Sequence, residues 1–152
     1  MLSKKLFGGF TFVELLIVIA ILGTLSGIAI PVYKNYVEKA KIVTAIAEIS
    51  ILQKEIAAYE AENKVLPDTL NDIGRGTLLD PWGNPYQYLN FANVKGKGKM
   101  RKDRFLVPLN SDYDLYSMGK DGLSVSPLTA NASHDDIIRA NNGTYIGIAS
   151  EY

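Results

Sequence analysis

The eighteen residues from Leu15 to Val32, LLIVIAILGTLSGIAIPV, carry no charged side chain. A run of that length and character is enough to cross the apolar part of a bilayer as a helix. It constrains everything else, because a chain of 152 residues has room for only one modest domain besides. A domain that small cannot enclose a helix that is apolar on every side, so a buried core helix is disfavoured. An ordinary secretory signal, with Lys4 and Lys5 as its basic end, also fits less well. The apolar run is too long, the helical pattern continues for about thirty residues beyond it, and no Ala-x-Ala pair marks a cleavage site at its end.

The positions of Gly, Pro and charge divide the chain. Residues 1–9, MLSKKLFGG, form a short basic head. From Phe10 to about Asn63 there is no glycine after Gly27 and one proline, Pro31. Residues 10–33 read as the apolar half of one long helix and residues 34–63 as its amphipathic half. Pro31 lacks an N–H and crowds the preceding turn, so a kink or a loosened turn is expected there. In the amphipathic half, Ile42, Ile46, Ile49, Leu52, Ile56 and Tyr59 fall on one helix face. A second, weaker stripe runs through Tyr36, Ala40, Val43, Ala47 and Ile51. One small domain needs one stripe; the second implies either a neighbouring subunit or a helix sunk deep in its own domain. From Phe10 to Asn63 the helix would extend about 80 Å, far more than a membrane requires. Residues 64–152 are punctuated by Pro, Gly, Asn and Asp, which suits short strands and loops.

Between Lys5 and Lys34 the only charged side chain is Glu14. A carboxylate in an apolar span is costly unless partnered or protonated, which marks it as a functional candidate. The residues around it, Gly8-Gly9-Phe10-Thr11-Phe12-Val13-Glu14-Leu15-Leu16, resemble the class III signal of type IV pilins and type II secretion pseudopilins. The resemblance implies that a prepilin peptidase cuts between Gly9 and Phe10 and methylates the new amine, making residues 1–9 a leader and Glu14 the fifth residue of the mature chain. The α-amine of Phe10 on an adjacent subunit is then a natural partner for Glu14, since the two charges neutralise each other in low dielectric. Alternatively Glu14 lies at headgroup level and reaches water.

In the C-terminal part, Asp80-Pro81-Trp82-Gly83-Asn84-Pro85-Tyr86-Gln87-Tyr88 combines strong turn chemistry with an alternating strand pattern. Trp82 is expected to cover the edge of the core. This string resembles the major pseudopilin of type II secretion more than a type IV pilin. So do Asp114-Leu115-Tyr116-Ser117-Met118-Gly119-Lys120-Asp121-Gly122 and Asp135-Asp136-Ile137. In that family a calcium ion ties down the corresponding loop. The resemblance therefore implies Ca2+ held by Asp121 and Asp136, with Asp135 as an alternate and Met118 as a carbonyl donor. An exported, loop-rich tail without cysteine needs some such staple. The competing reading makes residues 120–122 a hairpin turn and Asp135 the cap of a helix beginning near Asp136. The loop between Asp121 and Asp136, LSVSPLTANASHD, is longer than the family's and lacks its glycines. Residues 95–104, KGKGKMRKDR, form a basic insert that the family pattern does not account for, and read as a solvated loop.

Charge adds little. Lys plus Arg and Asp plus Glu both number 16, and loss of Lys4 and Lys5 with the leader leaves 14 against 16, a net −2. No nucleic-acid partner is expected from that balance, and the insert lacks interleaved aromatics. The absence of cysteine excludes disulfides and thiolate chemistry. With one histidine and no phosphate loop, HExxH or GxSxG element, no enzyme is expected. The expected fold is α+β and type IV pilin-like, with a long N-terminal helix on a small antiparallel sheet and a loop-rich C-terminus. The expected role is the major pseudopilin of a type II secretion system, whose filament drives protein export. That subunit would be a single-pass inner-membrane protein with its globular part in the periplasm. Its partners would be copies of itself, prepilin peptidase, the assembly platform, minor pseudopilins and membrane lipid. The alternatives are a type IV pilin of a surface pilus, serving adhesion, twitching motility or DNA uptake, and a membrane-anchored enzyme or binding protein.

Overall fold

A long run of strong helix formers, uninterrupted by glycine after Gly27, yields a single helix, α1, over Phe12–Asn63. The computed structural model describes residues 9–152, so most of the expected leader lies outside the described residues. The chain forms two units, with the boundary between Lys39 and Ala40. In the first, α1 continues through Pro31. Its apolar side chains stand exposed all round the helix, with none of the most apolar stretch buried in the chain. Among the described residues α1 alone is long and apolar enough to cross a membrane.

The second unit holds the outer half of α1 and a four-stranded antiparallel sheet in the order β1 (Gln87–Asn90), β2 (Tyr113–Ser117), β3 (Ile137–Ala140), β4 (Tyr145–Ile148). The register places Gln87 opposite Tyr116, Tyr116 opposite Ile138 and Ile137 opposite Ile148. A tight turn joins β3 to β4, with Asn141, Asn142 and Gly143 all at positive φ, the region that Asn and Gly tolerate best.

Successive residues of a strand point to opposite faces, and the sheet is covered on both. On one face Leu115, Ile137, Tyr113 and Tyr86 meet Ala45, Ile49, Leu52 and Ile56 of α1, with Ile42 and Ile46 half-buried beside them. The stripe read from the 3–4 spacing is thus the face that packs on the sheet. On the other face Ile138 and Ala140 pack against Leu109, Leu128 and Ala149, with Tyr116 at the margin. Two polar ties add to the helix–sheet contact. The Tyr86 hydroxyl donates to Glu48 at 2.5 Å, and Arg139 Nε donates to Gln53 Oε1 at 3.0 Å. Burial, followed by the nearby Glu48 carboxylate, raises the Tyr86 pKa far above its ordinary value, so it stays a donor.

The second stripe is not sunk in the domain: Tyr36, Ala40, Val43, Ala47 and Ile51 are all exposed. Two other readings change. No helix begins near Asp136; Ile137 opens β3, a central strand paired on both sides, which its β-branched pair Ile137-Ile138 favours. The insert 95–104 is only partly a solvated loop. Lys95, Lys97 and Lys99 are exposed, whereas Met100 and Arg101 are buried.

Candidate functional site

The N-terminal constellation stands at the start of α1. Gly9 and Phe10 precede the helix and are exposed, and a Cβ on Gly9 would meet nothing within 4 Å. Thr11 and Glu14 form a reciprocal cap. Glu14 Oε2 accepts from the Thr11 backbone N–H and from its hydroxyl, both at 2.9 Å, while the Glu14 N–H donates to Thr11 Oγ1 at 3.2 Å. This satisfies donors that every helix N-terminus leaves open and places an acid at the positive end of the helix dipole. The Thr-x-x-Glu spacing was legible in the sequence as a capping box, and the reading of Glu14 as an isolated carboxylate missed it.

The second locus lies where β2 ends. Asp80, 4% exposed, organises the turn of the Asp80–Tyr88 string. Its Oδ1 accepts from the N–H groups of Trp82 and Asn84 at 3.0 and 2.8 Å, and Ser117 Oγ donates to its Oδ2 at 2.5 Å. Asn84 Nδ2 then donates to the Gly119 carbonyl at 2.9 Å. Trp82 packs half-buried against the helix-side core, as expected. Gly119 is required twice over. Its φ is +63°, and a Cβ there would sit 2.3 Å from the Asp135 carbonyl oxygen.

Asp121, Asp135 and Asp136, expected to hold calcium, have hydrogen-bond partners within the chain. Asp135 Oδ2 accepts from the N–H groups of Lys120 and Asp121 at 2.8 and 3.0 Å, closing the loop on itself. Asp121 Oδ1 accepts from the Leu123 N–H at 2.8 Å within an exposed turn. Met118 is half-buried just past β2. Asp136 is fully buried and turned elsewhere. Its Oδ2 accepts from Ser124 Oγ at 2.6 Å and forms an ion pair with Nη2 of Arg101.

Calcium takes about six to eight oxygens, several of them charged. Here one buried carboxylate already faces a buried cation, and among the described residues no three His, Cys, Asp or Glu side chains form a metal-holding group. Asp136, held by Arg101 and Ser124, does not fit the ligand role expected of it. Among the described residues two buried side-chain atoms lack a hydrogen-bond partner, Asp136 Oδ1 and Arg101 Nε, and they belong to the two members of that same ion pair. Burial pushes Asp136 up to about 6, opposed by the Ser124 hydroxyl and the Arg101 guanidinium.

Sequence reasoning also missed Arg139. Its guanidinium grips Asp112 through two bonds of 2.9 and 2.8 Å and lies 3.9 Å from the Tyr113 ring centre. An arginine in a four-residue strand gives no local signal that it will be buried.

Comparison with known proteins finds a family motif at the N-terminus. The prokaryotic N-terminal methylation motif matches residues 4–30. The chain is 28% identical over 142 residues to the type II secretion system core protein G of Pseudomonas aeruginosa, covering 80% of this chain and 89% of that protein. It is 32% identical over 104 residues to the protein of the same name from Vibrio cholerae, covering 54% and 70%. A fimbrial protein of Pseudomonas aeruginosa is 40% identical over 83 residues, covering 49% and 54%. No solved structure gives a significant match.

Proposed function

Because the chain belongs to the type IV pilin and pseudopilin superfamily, we propose that it is the major structural subunit of a type II secretion pseudopilus, a helical filament that drives protein export. The observation that carries this choice is the extent of similarity. The core protein G of Pseudomonas aeruginosa matches over 80% of this chain, whereas the fimbrial protein of the same organism matches over 49%.

The mechanism follows from two surfaces. The apolar half of α1 must be covered, because this many exposed Leu, Ile and Val side chains are strongly unfavourable in water. Before assembly the inner membrane covers it, with residues 40–152 on the periplasmic side; after assembly the same half-helices of neighbouring subunits do. Cleavage at Gly9–Phe10 by a prepilin peptidase removes the leader and creates an α-amine on Phe10, directly before the Thr11–Glu14 cap. The cap uses Oε2 of Glu14, so the other oxygen can meet the Phe10 amine of an adjacent subunit. That pairing fixes the axial step of one subunit against the next. The exposed stripe through Val43 and Ile51 extends the contact beyond the membrane half. Minor pseudopilins and an inner-membrane platform would start and push the filament. A surface pilus would need the same first unit, so the distinction lies in what the cell loses. Deletion of the gene should abolish release of exported proteins to the medium and leave surface pili intact. Normal export together with loss of pili would replace this reading with that of a type IV pilin.

A further inference from the structure

Arg101 is the most confined cation in the described chain. It is 2% exposed although it lies in the most basic stretch of the sequence, where solvated lysines surround it in sequence. Its side chain binds three partners from the far loop. Nη1 donates to Ser124 Oγ and, at 2.7 Å, to the Val125 carbonyl, and Nη2 donates to Asp136 Oδ2. The guanidinium lies 4.3 Å from the ring centre of Tyr116 on β2. The backbone is fixed as well. The Arg101 N–H donates to Asp114 Oδ2 at 2.6 Å, and its carbonyl accepts from Leu109 at 3.0 Å. Lys102 then exchanges bonds with Ser126 and Leu128 at 3.0 and 2.9 Å.

We propose that the guanidinium of Arg101 is a built-in cation that closes the loop between β2 and β3, so that this subunit folds without a divalent metal.

The chemistry favours a guanidinium over an ion. A planar fork of donors suits one carboxylate, one carbonyl and one hydroxyl at fixed directions, whereas calcium needs roughly twice as many oxygens around one point. Arg101 and Asp136 neutralise each other, so a divalent cation entering the same shell would sit beside a buried positive charge with no added carboxylate to balance it. The other acids of the loop are engaged in backbone contacts: Asp135 with residues 120 and 121, Asp121 with Leu123. Asp114, also buried, accepts from the Arg101 backbone and from Asn110 Nδ2. The basic insert thus has a structural purpose, and its tip of exposed lysines is separable from it. The inference is independent of which filament the subunit builds.

The test uses the full chain purified in detergent micelles and melted in millimolar calcium chloride or in chelator. The wild type should melt at the same temperature in both. Arg101→Gln should melt about 10 °C lower or fail to fold. Arg101→Lys should fall between, because a point charge can hold Asp136 but cannot serve Ser124 and Val125 at once. A wild-type melting temperature that rises by several degrees in calcium, with the rise lost in Asp136→Asn, would overturn the proposal; this arm needs no destabilised variant. An Arg101→Gln protein that melts like the wild type would overturn it equally.

Discussion

Ile49 and Ile51 stand two residues apart on α1 and belong to different stripes, which makes them a matched pair. Ile49 is 0% exposed and packs in the core between helix and sheet; Ile51 is 50% exposed. Ile49→Ala removes buried methyl and methylene groups where the surrounding strands limit collapse, so the cost should be about 3–4 kcal/mol. Over a domain of this size that is a fall in melting temperature on the order of 10 °C. Ile51→Ala should stay within about 0.5 kcal/mol of wild type, as exposed substitutions do. Trp82 is the sole tryptophan and packs on the same core as Ile49, so its fluorescence reports the transition directly. The second readout is filament yield in cells. Ile51→Ala should lower it at unchanged monomer stability, because its stripe is exposed among the described residues. Equal destabilisation by the two substitutions would refute the assignment of the stripes. So would an Ile51→Ala protein that assembles at the wild-type level in competition with it.

Three further outcomes are expected. Mass spectrometry of the mature protein should find N-methylated Phe10 at its start; a chain beginning at Met1, or cut after Ala29, would contradict the processing reading. Glu14→Val should insert and fold yet fail to assemble, whereas Glu14→Gln should keep the helix cap and lose the charge. Assembly by the glutamine variant would assign Glu14 to capping alone. The third concerns pH. Burial holds Asp136 near 6 against 3.8 for an unburied aspartate, so the folded chain binds a proton in that window that the unfolded chain does not. The stability added by that bound proton is therefore complete below about 3.8, declines as pH rises and is gone above about 6. The stability of wild type relative to Asp136→Asn should fall along that course in denaturant titrations, and a flat difference would be inconsistent with it.

What could be read from sequence divides along a physical line. The helix, its sheet-facing stripe and the strand after Pro85 are periodic features, and period survives in one dimension: Ile49, Leu52 and Ile56 are buried as their spacing required. The Thr11–Glu14 cap is equally local. What escaped depends on pairs far apart in the chain. Arg101 and Asp136 are separated by 35 positions, and Arg139 and Gln53 by 86. Nothing in KGKGKMRKDR distinguishes the arginine that turns inward from the lysines that do not. The resemblance marked the aspartates at 121, 135 and 136 as ligands of a cation, but a resemblance does not show that Asp135 closes a turn while Asp136 faces a guanidinium.

These long-range pairs also explain how the chain holds a loop-rich tail with no cysteine. Both buried arginines lie against β2 tyrosines on opposite faces of the sheet, Arg139 over Tyr113 and Arg101 over Tyr116. Each also reaches a carboxylate outside β2: Asp112, just before that strand, and Asp136, just before β3. Arg139 extends to α1 through Gln53, and Arg101 extends to the loop through Ser124 and Val125. The central strand pair is thus clamped from both sides, by helix on one and by loop on the other. The exposed stripe of α1 takes no part in either clamp, which leaves that face available for contacts between subunits.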